Sequence, residues 1–127
     1  MKTVRVKFDY RDDELNIDEK DFILLDLVLK DDNTVKEVPS FGFIKEGGTR
    51  YPVIFEKNLL HWDESNYGDN REDLKGPSSL SLLNKEILSG AIVHRKDNCN
   101  NESEGGDYEY IVKDIREKAK EDLTLYS

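Results

Sequence analysis

The stretch DESNYGDNREDL, from Asp63 to Leu74, has several of the residue types found in a calcium-binding EF-hand loop. In such a loop, positions 1, 3 and 5 supply side-chain oxygens, position 6 is glycine and position 12 is a bidentate acid. Asp63 and Gly68 fit the first and sixth positions, but Tyr67 is a poor fifth ligand and Leu74 cannot supply the last carboxylate. The sequence therefore predicts no metal site here. It predicts a dense acidic loop.

His61, His94 and Cys99 are the residues that a zinc site or a cysteine hydrolase would use. They form no short ligand pair, and no motif supplies the orienting acid and oxyanion hole that a hydrolase needs. Gly-rich phosphate loops and a GxSxG motif are also absent. We therefore expect no catalytic residues, no metal and no cofactor. An enzyme whose site is assembled from dispersed residues around His61, His94 and Cys99 is kept as an alternative.

Acidic residues cluster in three segments, at 12–21, 63–73 and 102–109, and each cluster has aromatic neighbours. Aromatic side chains provide contact area at protein interfaces, while carboxylates steer a basic partner and pair with its Arg and Lys. The segment around 63–73 is the leading candidate, with the other two clusters left open. The predicted partner-binding residues are Trp62, Asp63, Glu64, Tyr67, Asp69, Glu72 and Asp73.

The charge balance limits the partner class. Of the 127 residues, 28 are acidic and 19 are Lys or Arg, which gives a net charge of −9. This argues against binding to nucleic acid or to an anionic membrane surface, but it suits a basic protein. The same charge is also explained by solubility alone. No apolar run reaches the roughly 20 residues that span a bilayer, and no secretion signal is recognisable, so a cytoplasmic protein is expected.

Period-2 alternation predicts most of the secondary structure. Residues 3–10 place Val4, Val6, Phe8 and Tyr10 on one face of a strand. Residues 11–21 are interpreted as a charged loop, and Gly47 and Gly48 as the turn of a hairpin. The further predicted strands are 22–30, 34–38, 41–44, 51–56, 91–97 and 108–115.

Two segments have the spacing of short helices. Residues 79–90 place Leu80, Leu83 and Ile87 on one helical face, and residues 116–125 are predicted as a terminal helix. The expected fold is a single domain over residues 1–127. Its class is α+β, mainly β: a mostly antiparallel curved sheet or partly open barrel with one or two short helices.

These features predict a small acidic binding protein that neutralises a basic protein partner. The concrete form is an immunity protein or antitoxin against a nuclease-type toxin, whose cationic surface would bind phosphate. In composition the chain resembles small acidic bacterial proteins that neutralise a toxin. The dispersed-residue enzyme and a structural or accessory subunit of an assembly are the alternatives.

Overall fold

The computed structural model describes residues 1–62, 78–97 and 107–117. These residues form eight strands in chain order: β1 (Lys2–Arg11), β2 (Ile17–Leu29), β3 (Ser40–Glu46), β4 (Thr49–Glu56), β5 (Leu59–Trp62), β6 (Ser78–Leu80), β7 (Ile92–Lys96) and β8 (Asp107–Glu117). Each strand pairs antiparallel with the next, and β8 pairs antiparallel with β1. The sheet is therefore a closed up-and-down barrel.

The predicted α+β class with a partly open barrel is wrong. The described part of the chain is all β, and it contains no helix of the length and apolarity needed to cross a lipid bilayer. Closure depends on β8, which pairs with β7 along one edge and with β1 along the other. This pairing removes the free edges that an open sheet would leave.

The alternation in β1 is the clearest link between sequence and core. Val4, Val6 and Phe8 are buried, as the period-2 pattern predicted. They face buried residues of the other strands, including Leu25 and Val112, inside the barrel. Burial of such side chains is worth roughly 1.5–3 kcal/mol each, so one inward face per strand is enough to form a core in a chain this polar.

The helix predicted over 79–90 does not form. Its first residues belong to β6, and Asn84 has a φ of 65°, which interrupts any helix there. The side-chain oxygen of Asn58 accepts hydrogen bonds from the backbone N–H groups of Leu82 and Leu83, at 3.0 and 2.9 Å. These tertiary contacts fix the backbone at residues 82 and 83, and Leu82 is buried in the barrel.

Three smaller expectations also change. The segment predicted as a loop at 11–21 includes the start of β2 at Ile17. Residues 34–38 are not a strand, because Thr34 and Val35 form only isolated bridges, to Glu86 and Leu29. Of the predicted terminal helix at 116–125, residues 116 and 117 belong to β8 and the others lie outside the described residues.

The two ends of the barrel differ in chemistry. One end, which we call the apolar end, is filled by Val35, Leu82 and Ile87, which come from connections between strands and join the core. The other end carries the predicted β3–β4 hairpin, which is confirmed. Its turn residues Gly47 and Gly48 have φ values of 56° and 84°, as a two-residue turn with both residues at positive φ requires. We call this second end the polar end.

Candidate functional site

The acidic segments 12–21, 63–73 and 102–109 overlap three of the four connections that leave the barrel at its polar end. Because neighbouring strands are antiparallel and follow chain order, the connections after β1, β3, β5 and β7 all leave from this end. Residues 12–16 are described, whereas 63–77 and 98–106 are outside the described residues. The strand termini that meet at the polar end are Arg11, Ile17, Glu46, Thr49, Trp62, Ser78, Lys96 and Asp107.

Arg95 is a buried cation just inside the polar end. It occupies a core-facing position of β7, opposite Leu80, and its side chain is only 3% exposed. Its Nε and Nη2 donate to the two carboxylate oxygens of Asp97 at 2.8 and 3.0 Å. Its Nη1 donates to the hydroxyl of Tyr110 at 3.1 Å and to Glu46. These charge-assisted bonds offset the cost of burying the guanidinium.

The electrostatics of this group keep Arg95 charged and Tyr110 neutral. Burial on its own would lower the pKa of Arg95, but the interactions with Tyr110, Asp97 and Glu46 outweigh it and raise that pKa. Burial raises the pKa of Tyr110 to about 12, although Arg95 acts in the opposite direction. The group therefore keeps its hydrogen-bonding pattern across the neutral pH range.

Three tyrosines line the polar end beside Arg95. The rings of Tyr10 and Tyr108 meet edge to face, with centroids 6.2 Å apart and an interplanar angle of 70°. The centroids of Tyr10 and Tyr110 are 5.8 Å apart. The guanidinium carbon of Arg95 lies 5.4 Å from the ring centroid of Tyr108. Two adjacent strands, β1 and β8, thus place their inward aromatics in one cluster.

Two cavities adjoin this cluster. The inner cavity has a volume of about 250 Å³, and its described lining is Tyr10, Asp21, Glu46, Tyr108 and Tyr110. The outer cavity has a volume of about 280 Å³, and its described lining is Tyr10, Arg11, Asp12, Asp13, Leu15, His94, Asp107, Tyr108 and Glu109. Tyr10 and Tyr108 are the described residues common to both, so this ring pair forms a shared wall.

The outer cavity carries an excess of negative charge. Its described lining has four carboxylates against one guanidinium, that of Arg11, whose Nε donates to Glu109 at 2.6 Å. Asp12 shapes the loop, because its Oδ1 accepts the backbone N–H groups of Glu14 and Asn16. Asp13 and Asp107 make no ion pair within the described ranges, so their charges are available to a ligand.

The inner cavity is negative too. Glu46 is paired with Arg95, but that one cation is shared with Asp97. Asp21 adds a further carboxylate, whose Oδ1 accepts the backbone N–H of Gly47 at 3.2 Å. The described lining of the inner cavity thus has two carboxylates, those of Asp21 and Glu46, and no Lys or Arg. Partial burial, followed by the charges of Asp13 and Asp12, raises the pKa of Tyr10, which lies between the two cavities.

The leading predicted site falls mostly outside the described residues. Trp62 ends β5, where its backbone pairs with Val53. The other predicted partner-binding residues, Asp63, Glu64, Tyr67, Asp69, Glu72 and Asp73, lie outside the described ranges. The other two acidic segments contribute described residues to both cavities. Segment 12–21 contributes Asp12, Asp13 and Asp21, and segment 102–109 contributes Asp107, Tyr108 and Glu109.

The residues of the enzyme alternative lie on different strands. His61 is exposed on β5 and pairs with Ile54, while His94 is exposed on β7 and pairs with Glu109. The strand β6 separates β5 from β7 in the barrel, and Cys99 is outside the described residues. No group of three or more metal-binding side chains occurs in the described parts of the chain.

The sequence analysis missed the buried group of this site, which consists of Arg95 with its partners Glu46 and Asp97. Arg95 is the member with a signal in the sequence. It is two residues from Val93 in the predicted strand 91–97, so the same period-2 pattern assigns both to the inward face. A charged residue at a core-facing position near a strand end is a signal for a buried polar group.

Comparisons with protein-family models, with curated proteins and with solved structures found no match to this chain. The function is therefore inferred from the chemistry of the polar end.

Proposed function

We propose that this protein is a small acidic binding protein that neutralises a basic protein partner, with the polar end of the barrel as its contact surface. The observation that carries the proposal is the pair of cavities with tyrosine walls and excess carboxylates at one end of the barrel. Tyrosine faces attract ammonium and guanidinium groups, and carboxylates beside them pair with the same groups. A surface of this chemistry suits the Lys and Arg side chains of a partner.

The rigidity of the barrel supports such a binding role. The inward side chains of β1 and β8 hold Tyr10 and Tyr110 in fixed positions, and Arg95 ties β7 to Glu46 of β3. A rigid surface loses little conformational entropy when it binds, so more of the contact energy appears as affinity. The net charge of −9 adds long-range attraction for a basic partner and speeds the encounter.

The concrete form of the proposal is a cytoplasmic immunity protein or antitoxin against a nuclease-type toxin. A nuclease presents cations where its phosphate substrate binds, and a carboxylate-rich surface competes for the same cations. The described residues of segments 12–21 and 107–109 support this surface directly, whereas 63–73 stays a prediction.

The test is capture of a partner from the native host, followed by variants. Tyr108 is 37% exposed at the shared wall, and Phe41 is 63% exposed on the outer face of β3. We expect Tyr108→Ala to weaken binding of the captured basic protein by on the order of 2 kcal/mol. Phe41→Ala, the matched control, should leave binding unchanged. A thermal melt of each variant verifies folding.

Two outcomes contradict the proposal. One is that no basic protein is captured at low salt, where electrostatic attraction is strongest. The other is that a captured basic protein binds Tyr108→Ala and the double variant Asp13→Asn with Asp107→Asn as tightly as it binds the wild type. In the second case the partner contacts another surface of the barrel.

A further inference from the structure

The shared Tyr10–Tyr108 wall gives the proposed binding surface two compartments. The inner cavity is bounded by barrel residues such as Glu46 and Tyr110, whereas the outer cavity is bounded by the loop after β1 and by the strand end at Asp107. Each compartment has an aromatic wall and a carboxylate that is not part of the Arg95 group: Asp21 in the inner cavity and Asp13 in the outer one.

Resting on the proposed function, we infer that the two cavities bind two cationic side chains of one basic segment, one on each side of the Tyr10–Tyr108 wall. A Lys or Arg side chain fits each cavity, because its alkyl stem contacts the rings while its charged group reaches the carboxylates. An anionic ligand does not fit. The two arginines at these cavities already have acidic partners: Arg95 donates to Asp97, Glu46 and Tyr110, and Arg11 donates to Glu109.

The geometry of the wall indicates the spacing of the two cations. A cation on a ring face lies within about 6 Å of the ring centroid, so two cations on opposite sides of the wall are separated by at most about 12 Å, which two long Lys or Arg side chains can span. Alternate residues of an extended chain point to the same side and are about 7 Å apart. A segment with Lys or Arg at positions i and i+2 in an extended conformation therefore straddles the wall, with the intervening residue above the ring edges.

The experiment uses a synthetic peptide with two lysines at i and i+2 in a Gly/Ser background. In two further peptides, one or the other lysine is replaced by norleucine, which keeps the alkyl stem and removes the charge. Binding to the full chain is measured by calorimetry at about 0.15 M salt, where distant charges are largely screened. We expect each replacement to weaken binding about tenfold, because it removes one cation from a ring face and a carboxylate.

Protein variants assign each lysine to a cavity. Asp13→Asn reduces the charge of the outer cavity, and Asp21→Asn that of the inner cavity, where the amide oxygen still accepts the Gly47 N–H. We expect Asp13→Asn to weaken binding of the two-lysine peptide but not of one of the norleucine peptides, the one that lacks the lysine bound in the outer cavity. Asp21→Asn should in the same way have no effect on binding of the other norleucine peptide. Glu37→Gln removes the same charge at the apolar end and should leave every affinity unchanged within about twofold, because salt screens a charge that distant.

Three results overturn the inference. The first is that a single-lysine peptide binds as tightly as the two-lysine peptide. The second is that both Asp variants couple to the same lysine, so that only one cavity is occupied. The third is that the two-lysine peptide does not bind at millimolar concentration. If the captured protein partner still depends on Tyr108 in any of these cases, the proposed function stands and only the two-cavity inference fails.

Discussion

Arg95 of β7 donates two hydrogen bonds, at 2.8 and 3.0 Å, to the carboxylate of Asp97, the residue that directly follows this strand. The guanidinium is 3% exposed, whereas the carboxylates of Asp97 and Glu46 are 26% and 42% exposed. The cation is thus inside the barrel, and the carboxylates that neutralise it are at the polar end. Asp97, Glu46 and Tyr110 depend on Arg95 for their arrangement, because it donates hydrogen bonds to all three.

Removing that cation is expected to destabilise the barrel. Arg95→Met leaves Asp97 and Glu46 without their shared partner and Tyr110 without its donor. We expect a loss of about 2–3 kcal/mol in the free energy of unfolding, below the full cost of a broken buried pair because the carboxylates are partly exposed. Urea unfolding measures it. Arg116→Met, at a residue that is 78% exposed on β8, should cost less than about 0.5 kcal/mol. Equal effects at the two positions would contradict a structural role for Arg95.

Tyr110 is expected to make stability fall at alkaline pH. Its pKa is raised to about 12 in the folded chain, from an ordinary value of 10.0. A group whose folded pKa is raised contributes its full stability below the unfolded pKa. That contribution is then lost as the pH rises from about 10 to about 12. Over this window the wild type should lose about 2 kcal/mol relative to Tyr110→Phe, as measured by urea unfolding at each pH. Parallel curves for the two proteins would show that Tyr110 ionises as readily when folded as when unfolded.

Local patterns predicted the strands well where one face is buried. The strands β1, β3, β4, β7 and β8 were predicted, and buried residues alternate with more exposed ones over much of each strand, although Arg95 is an inward polar exception and Phe41 an outward apolar one. The spacing of Leu80, Leu83 and Ile87 fits a helix equally well, and three features decide against it: the pairing of β6, the positive φ of Asn84 and the contact with Asn58. That contact joins residues 24 and 25 positions apart, so no local pattern contains it.

The candidate site was predictable in part. Two of the three acidic segments, with Tyr10 and Tyr108 beside them, contribute to the cavities at the polar end. The meeting of these segments at one end requires the full strand order. The predicted strands omitted both β5 and β6 and included 34–38, which is not a strand. The two omissions cancel, but the additional strand at 34–38 reverses the end assigned to every later connection, so the convergence could not be derived from the predicted order.

Gly42 is expected to tolerate no side chain. A Cβ atom at this position would lie 1.9 Å from the carbonyl oxygen of Leu24 on the neighbouring strand. We expect Gly42→Ala to cost more than about 3 kcal/mol or to prevent folding, because backbone would have to move. Gly90→Ala is the comparison: its Cβ meets nothing within 4 Å, but its φ is 89°. Backbone strain alone there should cost about 1–2 kcal/mol. Thermal melts that rank Gly90→Ala as the more damaging change would contradict the close approach of β2 and β3.

Lys7 and Asp9 form an ion pair that involves a fully buried carboxylate. Asp9 is 0% exposed and neither of its oxygens has a hydrogen-bond partner among the described residues, while the Lys7 ammonium lies 3.2 Å from Oδ1. That contact is close enough for charge pairing but lacks hydrogen-bond geometry. The ammonium also lies 4.6 Å from the ring centroid of Phe22, and Lys7 is 29% exposed. Lys7 is thus the countercharge that makes a buried Asp9 carboxylate tolerable.

We expect Lys7→Met to destabilise the protein by about 2 kcal/mol, because it keeps the apolar contact with Phe22 and leaves the Asp9 charge unpaired. Adding Asp9→Asn should recover part of that loss, since an amide carries no charge to compensate. Lys113→Met, at an exposed lysine on β8, is the matched control and should change stability by less than about 0.5 kcal/mol. Urea unfolding of the wild type, the two single variants and the double variant forms the test. If Asp9→Asn lowers stability as much in the Lys7→Met background as in the wild type, the two side chains are not coupled and Asp9 is stabilised by other means.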